Sequence, residues 1–230
     1  VSVLARLRGG LIVSVQAEAG SVLNTPETIA LLARCAVQNG AAGVRIEGLE
    51  RIRAVRAAVD VPIVGLVKRA NRDFPVYITP GLDDVAAIAA AGAEIVAFDA
   101  TERAREGAAS VTELAGAAHR ANALALADCA TQSDGRRAAA GGADALATTL
   151  AGYTDATRGR ALPALDLLAE LAALSPFALC EGGIAAPVAV RTAFASGASA
   201  VVVGTAITNI DWLVRAFAQA ARGEDSTSCT

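Results

Sequence analysis

The chain has 230 residues, of which 54% are hydrophobic, 19% charged and only 3% aromatic, with a formal net charge of −3. This composition supplies a large aliphatic core, which excludes disorder, and leaves no basic stripe for general nucleic-acid binding. No uncharged apolar run reaches the roughly 18 residues of a membrane span. Residues 1–10 carry arginines but no signal-peptide core, so the cytoplasm is the simplest compartment.

In chain order, short apolar runs alternate with alanine-rich stretches. The runs predict strands at 11–16, 42–46, 62–68, 94–99, 123–128, 143–149, 177–181 and 200–204. Helices are predicted between and after them, at 26–39, 49–58, 82–91, 110–121, 133–140, 164–173, 187–196 and 210–222. Small-residue turns such as Ala91-Gly92-Ala93 and Ser196-Gly197-Ala198 stop the helices, because glycine there tolerates the left-handed conformation. A strand–helix unit repeated in this way predicts an α/β fold, a single (β/α)8 TIM barrel over 1–222 with a C-terminal tail at 223–230. The rival open dinucleotide-binding sheet would want a Gly-x-Gly-x-x-Gly turn after the first strand, and none follows it.

In such a barrel the chemistry gathers at the C-terminal ends of the strands. Those ends read Gln16, Arg45, Lys68, Asp99, Asp128, Thr148-Thr149, Glu181 and Gly204-Thr205. Lys68 stands out as the only lysine among 20 basic residues. Unlike a guanidinium, an ammonium can lose its proton on burial and serve as a base or a Schiff-base amine. Asp99 suits capping of the following turn as well as a site role.

Cys129 and Cys180 neighbour strand-end carboxylates and must therefore face the helix layer. The four cysteines, Cys35, Cys129, Cys180 and Cys229, lack metal-ligand spacing, so no metal site is expected. His119 is the only histidine and falls in a predicted helix, which leaves acid–base work to lysine, carboxylates or tyrosine. Gly182-Gly183 and Gly204-Thr205 follow the seventh and eighth strands, where barrels often bind phosphate through backbone N–H groups.

Several motifs occur in order between about residues 7 and 208: Arg8-Gly9-Gly10-Leu11-Ile12-Val13-Ser14 with Gln16-Ala17, Gly43-Val44-Arg45, and Gly65-Leu66-Val67-Lys68-Arg69. Val76-Tyr77-Ile78-Thr79-Pro80, Phe98-Asp99-Ala100-Thr101 and Ala127-Asp128 follow. Thr148-Thr149-Leu150-Ala151-Gly152-Tyr153-Thr154 and Val203-Gly204-Thr205-Ala206-Ile207-Thr208 complete the set. Together they resemble the N-acetylmannosamine-6-phosphate 2-epimerases, also called N-acylglucosamine-6-phosphate 2-epimerases.

The resemblance implies a cofactor-independent isomerase that interconverts N-acetylmannosamine 6-phosphate and N-acetylglucosamine 6-phosphate in sialic acid catabolism. By position, Lys68 and Glu181 correspond to the catalytic lysine and glutamate, and Gln16, Arg45 and Asp128 to substrate contacts. Thr149 and Tyr153 join these as expected substrate contacts. The expected partner is the amino-sugar phosphate, with neither nucleic acid nor membrane, and there is room for a homodimer. Two positions depart from the family pattern: Gly183 and Asn209 stand where arginine is common. A Schiff-base aldolase on the same barrel, or a sugar-phosphate binding protein without turnover, is the alternative reading.

Overall fold

The computed structural model describes residues 2–223; apart from Gly223, the expected tail and Cys229 lie outside them. The eight expected strands form β1 (Leu11–Val15), β2 (Gly43–Glu47), β3 (Ile63–Leu66), β4 (Ile95–Asp99), β5 (Leu124–Asp128), β6 (Ala145–Ala147), β7 (Ala178–Glu181) and β8 (Ala200–Val203). All pair in parallel with their sequence neighbours, and β8 pairs with β1 through Leu11↔Val201 to Val13↔Val203, closing the barrel. No sheet edge is left unpaired in the ring, so the aliphatic strands expose no template for aggregation.

Alternation along each strand divides the core in two. Ile12, Val64, Leu66, Ile95, Ala97, Leu126, Ala145, Ala147, Leu179, Ala200 and Val202 fill the barrel interior. Val13, Val44, Ile46, Ile63, Val96, Phe98, Leu146, Cys180 and Val201 face the surrounding helices. Small residues dominate where space is tightest. A Cβ on Gly65 would come within 2.6 Å of both Ala93 Cβ and Ile88 Cγ2, so glycine lets the outer layer close on β3.

The helices are α1 (Val3–Leu7), α2 (Pro26–Gln38), α3 (Leu49–Arg56), α4 (Leu82–Ala90), α5 (Val111–Arg120), α6 (Gln132–Ala140), α7 (Leu165–Leu174), α8 (Pro187–Ala195), α9 (Thr205–Thr208) and α10 (Ile210–Ala221). Their starts are written locally. Thr25 caps α2 with Pro26 in the first turn, and Ser110/Glu113 and Thr131/Asp134 form capping boxes on α5 and α6.

Strands β3 and β6 are shorter than expected because the chain leaves the ladder once its residues turn into the mouth. The short helices α1 and α9 were not anticipated, since four or five residues carry no readable period. Helix α1 closes the N-terminal end of the barrel: Leu7 is fully buried with the interior cluster, and a Cβ on Gly43 would meet its Cδ2 at 2.5 Å.

Candidate active site

The last inward positions of the strands meet at the other end. Arg45 of β2, between the outward Val44 and Ile46, points inward and is only 2% exposed. Its Nη1 and Nη2 donate to Asp128 Oδ1 and Oδ2 of β5 at 3.1 and 2.7 Å, a bidentate pair across the barrel. Nη1 also lies 3.0 Å from Glu181 Oε2 of β7. Burial opposes the Arg45 charge, but Asp128 and then Glu181 more than offset this, and the guanidinium is held protonated more firmly than usual.

Glu181 is fixed from both ends. Its backbone N–H donates to Thr148 Oγ1 at 3.0 Å, and that hydroxyl donates back to the Glu181 carbonyl at 2.8 Å. Thr149 Oγ1 lies 2.6 Å from Asp128 Oδ1 and 3.1 Å from Glu181 Oε2. Burial raises the Glu181 carboxyl above the ordinary carboxylate range; Arg45 opposes this shift and Asp128 adds to it.

Lys68 lies two residues beyond β3 and opens to solvent at the mouth. It forms an isolated antiparallel bridge with Ile78, flanked by Arg69 N–H to Tyr77 O at 2.8 Å and Thr79 N–H to Val67 O at 2.9 Å. Thr79 holds this clasp at φ +43°, a conformation uncommon for a non-glycine residue, and is completely buried. Lys68 Nζ donates to Gln16 Oε1 at 2.7 Å, and Gln16 Nε2 donates to Ser14 Oγ at 2.7 Å. Partial burial, then Arg45, lowers the Lys68 ammonium below its ordinary value, against Glu47, Glu181 and Asp128. An amide oxygen can accept from a neutral amine as well as, more strongly, from an ammonium, so the Gln16 contact does not require a charged lysine.

A cavity of about 700 Å³ opens above these groups. Lys68, Glu181, Gln16, Arg45, Thr149, Tyr153, Gly182, Gly183, Gly204 and Thr205 all line it. Asp128 does not: it is wholly inaccessible beneath the cavity floor, where it serves as the counter-ion of Arg45 rather than an open contact.

Asp99 lies outside the lining. Its carboxylate accepts from Thr101 N and Oγ1 at 2.8 and 2.6 Å and pairs with Arg103, which is the capping role. Cys129 and Cys180 are buried in the helix-facing layer, and burial pushes both thiols up, Cys180 to about 11. His119 lies on α5 against Asp144. Among the described residues no cluster of three or more His, Cys, Asp or Glu is placed to hold a metal ion, and no helix is long and apolar enough to cross a membrane.

A family model described as "Putative N-acetylmannosamine-6-phosphate epimerase" matches residues 29–223. The chain belongs to the N-acetylmannosamine-6-phosphate epimerase family. A relative from Synechococcus elongatus with the corresponding 2-epimerase name is 48% identical over 221 residues, 94% of this chain and 95% of its own. Another, from Thermosynechococcus vestitus, is 45% identical over 227 residues, covering 97% and 98%. The solved structure of the N-acetylmannosamine-6-phosphate 2-epimerase from Clostridium perfringens superposes with a TM-score of 0.91 at 33% identity, covering 96% of each chain.

Within this family frame, the end of the cavity formed by the β7 and β8 loops is uncharged. Gly182 and Gly183 adopt φ +102° and +71°, and a Cβ at Gly183 would lie 2.3 Å from Leu162 Cβ. Leu162 therefore fills the space a side chain at 183 would need. Asn209 Oδ1 accepts from Trp212 N–H at 3.0 Å and caps α10. Arg45 and Lys68 are the only cationic side chains among the lining residues.

Sequence reasoning missed Ser14, Tyr77, Leu162, Trp212 and Leu213 as lining residues. Tyr77 sat within a quoted motif and Trp212 is the only tryptophan, so both carried a signal. Leu162 carried none.

Proposed function

We propose that this protein inverts C2 of N-acetylmannosamine 6-phosphate to give N-acetylglucosamine 6-phosphate, by proton removal and return at C2. One observation carries this reading: Lys68 and Glu181 line a single cavity together with Arg45, with their proton affinities moved in opposite directions. A base and an acid displaced toward each other are what acid–base chemistry near neutral pH requires.

In this reading the open-chain sugar presents its C1 aldehyde beside C2. Lys68 as free amine takes the C2 proton, and the electron pair moves onto the C1 oxygen as an enolate. Glu181 returns a proton to the opposite face. Gln16 orients Lys68, and the Arg45 charge beneath the cavity favours the enolate. Thr149 and Tyr153 border the sugar, and backbone N–H groups around Gly182, Gly183, Gly204 and Thr205 receive the phosphate.

Proton NMR in deuterated water tests the reading directly. Substrate C2–H should exchange and the epimer appear, with kcat/KM higher for the phosphorylated than for the free sugar. Equal values would remove the phosphate assignment, and borohydride trapping of a Lys68 adduct with substrate would favour the aldolase instead.

We also infer a homodimer. Helix α10 has no fully buried residue and exposes Ile210, Val214 and Phe217 at 43%, 60% and 76%, one stripe at helical spacing that a second copy would cover. Light scattering should report a dimer that Phe217→Asp weakens.

A further inference from the structure

Removing the C2 proton puts negative charge on the C1 oxygen, so the site needs a hydrogen-bond donor where that charge develops. The polar groups around Lys68 are largely engaged elsewhere. Both Nη atoms of Arg45 are held by Asp128 and Glu181, and its Nε is buried. Gln16 holds Lys68 with its oxygen and Ser14 with its nitrogen, and the Thr149 hydroxyl faces Asp128 and Glu181. Thr208 donates its hydroxyl to the Ser14 carbonyl. Tyr153 packs beside Gly182, and Thr205 and Trp212 follow β8, so these three lie toward the loops read as holding the phosphate. Tyr77 differs from all of them. It lines the cavity, and its hydroxyl has no hydrogen-bond partner among the described residues.

The clasp that carries Lys68 also fixes Tyr77. Arg69 N–H donates to the Tyr77 carbonyl at 2.8 Å, and Lys68 bridges Ile78, the next residue. Val76 and Ile78 on either side are buried while Tyr77 is 36% exposed, so core packing does not account for the ring at the mouth. The phenol interacts electrostatically with Arg45 and Asp128, in keeping with a hydroxyl turned toward the cavity floor. Burial raises the phenol above its ordinary value against the opposing Arg103, so at neutral pH it is a donor and not a base.

We propose that Tyr77 is a further catalytic residue whose hydroxyl donates a hydrogen bond to the C1 oxygen as the enolate forms. This rests on the epimerase reading. Tyr77 keeps its own proton throughout. The C2–H bond breaks as an N–H bond forms on Lys68, and the electron pair settles on the C1 oxygen beside the phenol. That pair returns to C2 as the Glu181 O–H bond breaks on the opposite face. An aldehyde oxygen is a weaker acceptor than an enolate oxygen, so the bond strengthens in the transition state and acts on kcat more than on KM. One clasp thus supplies the base for C2 and the donor for the adjacent C1.

The test compares wild type with Tyr77→Phe, which keeps the ring and loses the hydroxyl. In C2-exchange kinetics kcat should fall by about 100-fold, with KM within about 3-fold. Two unreactive probes isolate the hydrogen bond by calorimetry. N-acetylmannosaminate 6-phosphate carries an anionic oxygen at C1, and N-acetylmannosaminitol 6-phosphate a neutral one. Tyr77→Phe should weaken the first by about 10-fold or more and leave the second within about 2-fold.

An unchanged ratio of the two affinities would overturn the proposal, and so would equal weakening of both, which would make Tyr77 a general ligand contact. A kcat within about 3-fold of wild type, or a loss confined to KM, overturns it as well. Absence of C2 exchange in the wild type removes the epimerase reading itself, whereas exchange at full rate in Tyr77→Phe removes only this role.

Discussion

Among single side chains, Arg45 faces the steepest energetic demand, because a guanidinium 2% exposed survives only with its charge matched. Removing it leaves Asp128 buried and unpaired. Arg45→Met should therefore destabilise the fold by about 3–5 kcal/mol, and adding Asp128→Leu should recover much of that loss in urea titrations.

In the proposed mechanism Lys68 is replaceable by neither alanine nor arginine. Both variants should fold normally and lose C2 exchange by at least about 100-fold, since a guanidinium stays protonated and cannot act as the base. Glu181 gives a sign that stability measurements can check. Its carboxyl is raised on folding, so its contribution to stability is fully present below the ordinary value near 4.5 and declines as pH rises through the folded value. The stability of Glu181→Gln relative to wild type should thus increase between acidic and mildly alkaline pH, while its activity is lost.

Elements differ in how much change they accept, and the β7–α8 loop is among the least tolerant. Gly183 combines φ +71° with a projected Cβ 2.3 Å from Leu162, so the backbone and the neighbour both reject a side chain. Gly183→Arg, which would install the arginine that the resemblance leads one to expect there, should lower stability by about 1–3 kcal/mol. It should not improve KM for the phosphorylated sugar unless Leu162 is reduced to alanine as well. Thermal melts and steady-state kinetics on the single and double variants separate the strain from the charge. In the proposed function such a loop recognises the phosphate through backbone groups, whose position the fold sets.

Over the whole molecule, the end of the barrel opposite the proposed centre serves stability alone. Helix α1 seals the N-terminal end through Leu7, while every lining residue of the proposed centre lies at the C-terminal ends of the strands or in the loops and helices α9 and α10 beyond them. Leu7→Ala should cost about 2–5 kcal/mol in chemical denaturation. The folded fraction should keep its kcat and KM, because no site group depends on that end.

The order of strands and main helices was legible in the sequence because each strand is a short aliphatic run and most of those helices are bounded by a cap or glycine turn. In a parallel barrel every strand points the same way. A polar residue closing each run, such as Gln16, Arg45, Lys68 or Glu181, therefore had to reach the same mouth, and the resemblance to the family assigned those residues their expected roles. What the sequence left undecided were contacts between residues far apart in the chain. Arg45 engages Asp128 83 positions away, and Thr149 stands between two carboxylates from different strands. Leu162 occupies the space at Gly183, and Trp212 forms a wall of the cavity. Barrel closure, side-chain reach and loop path set these neighbours, and periodicity along a single chain encodes none of them. The sequence alone determined which polar strand ends arrive at the mouth; the tertiary structure decided which become partners, which stay open to a ligand and which residues of the loops and of α10 join them.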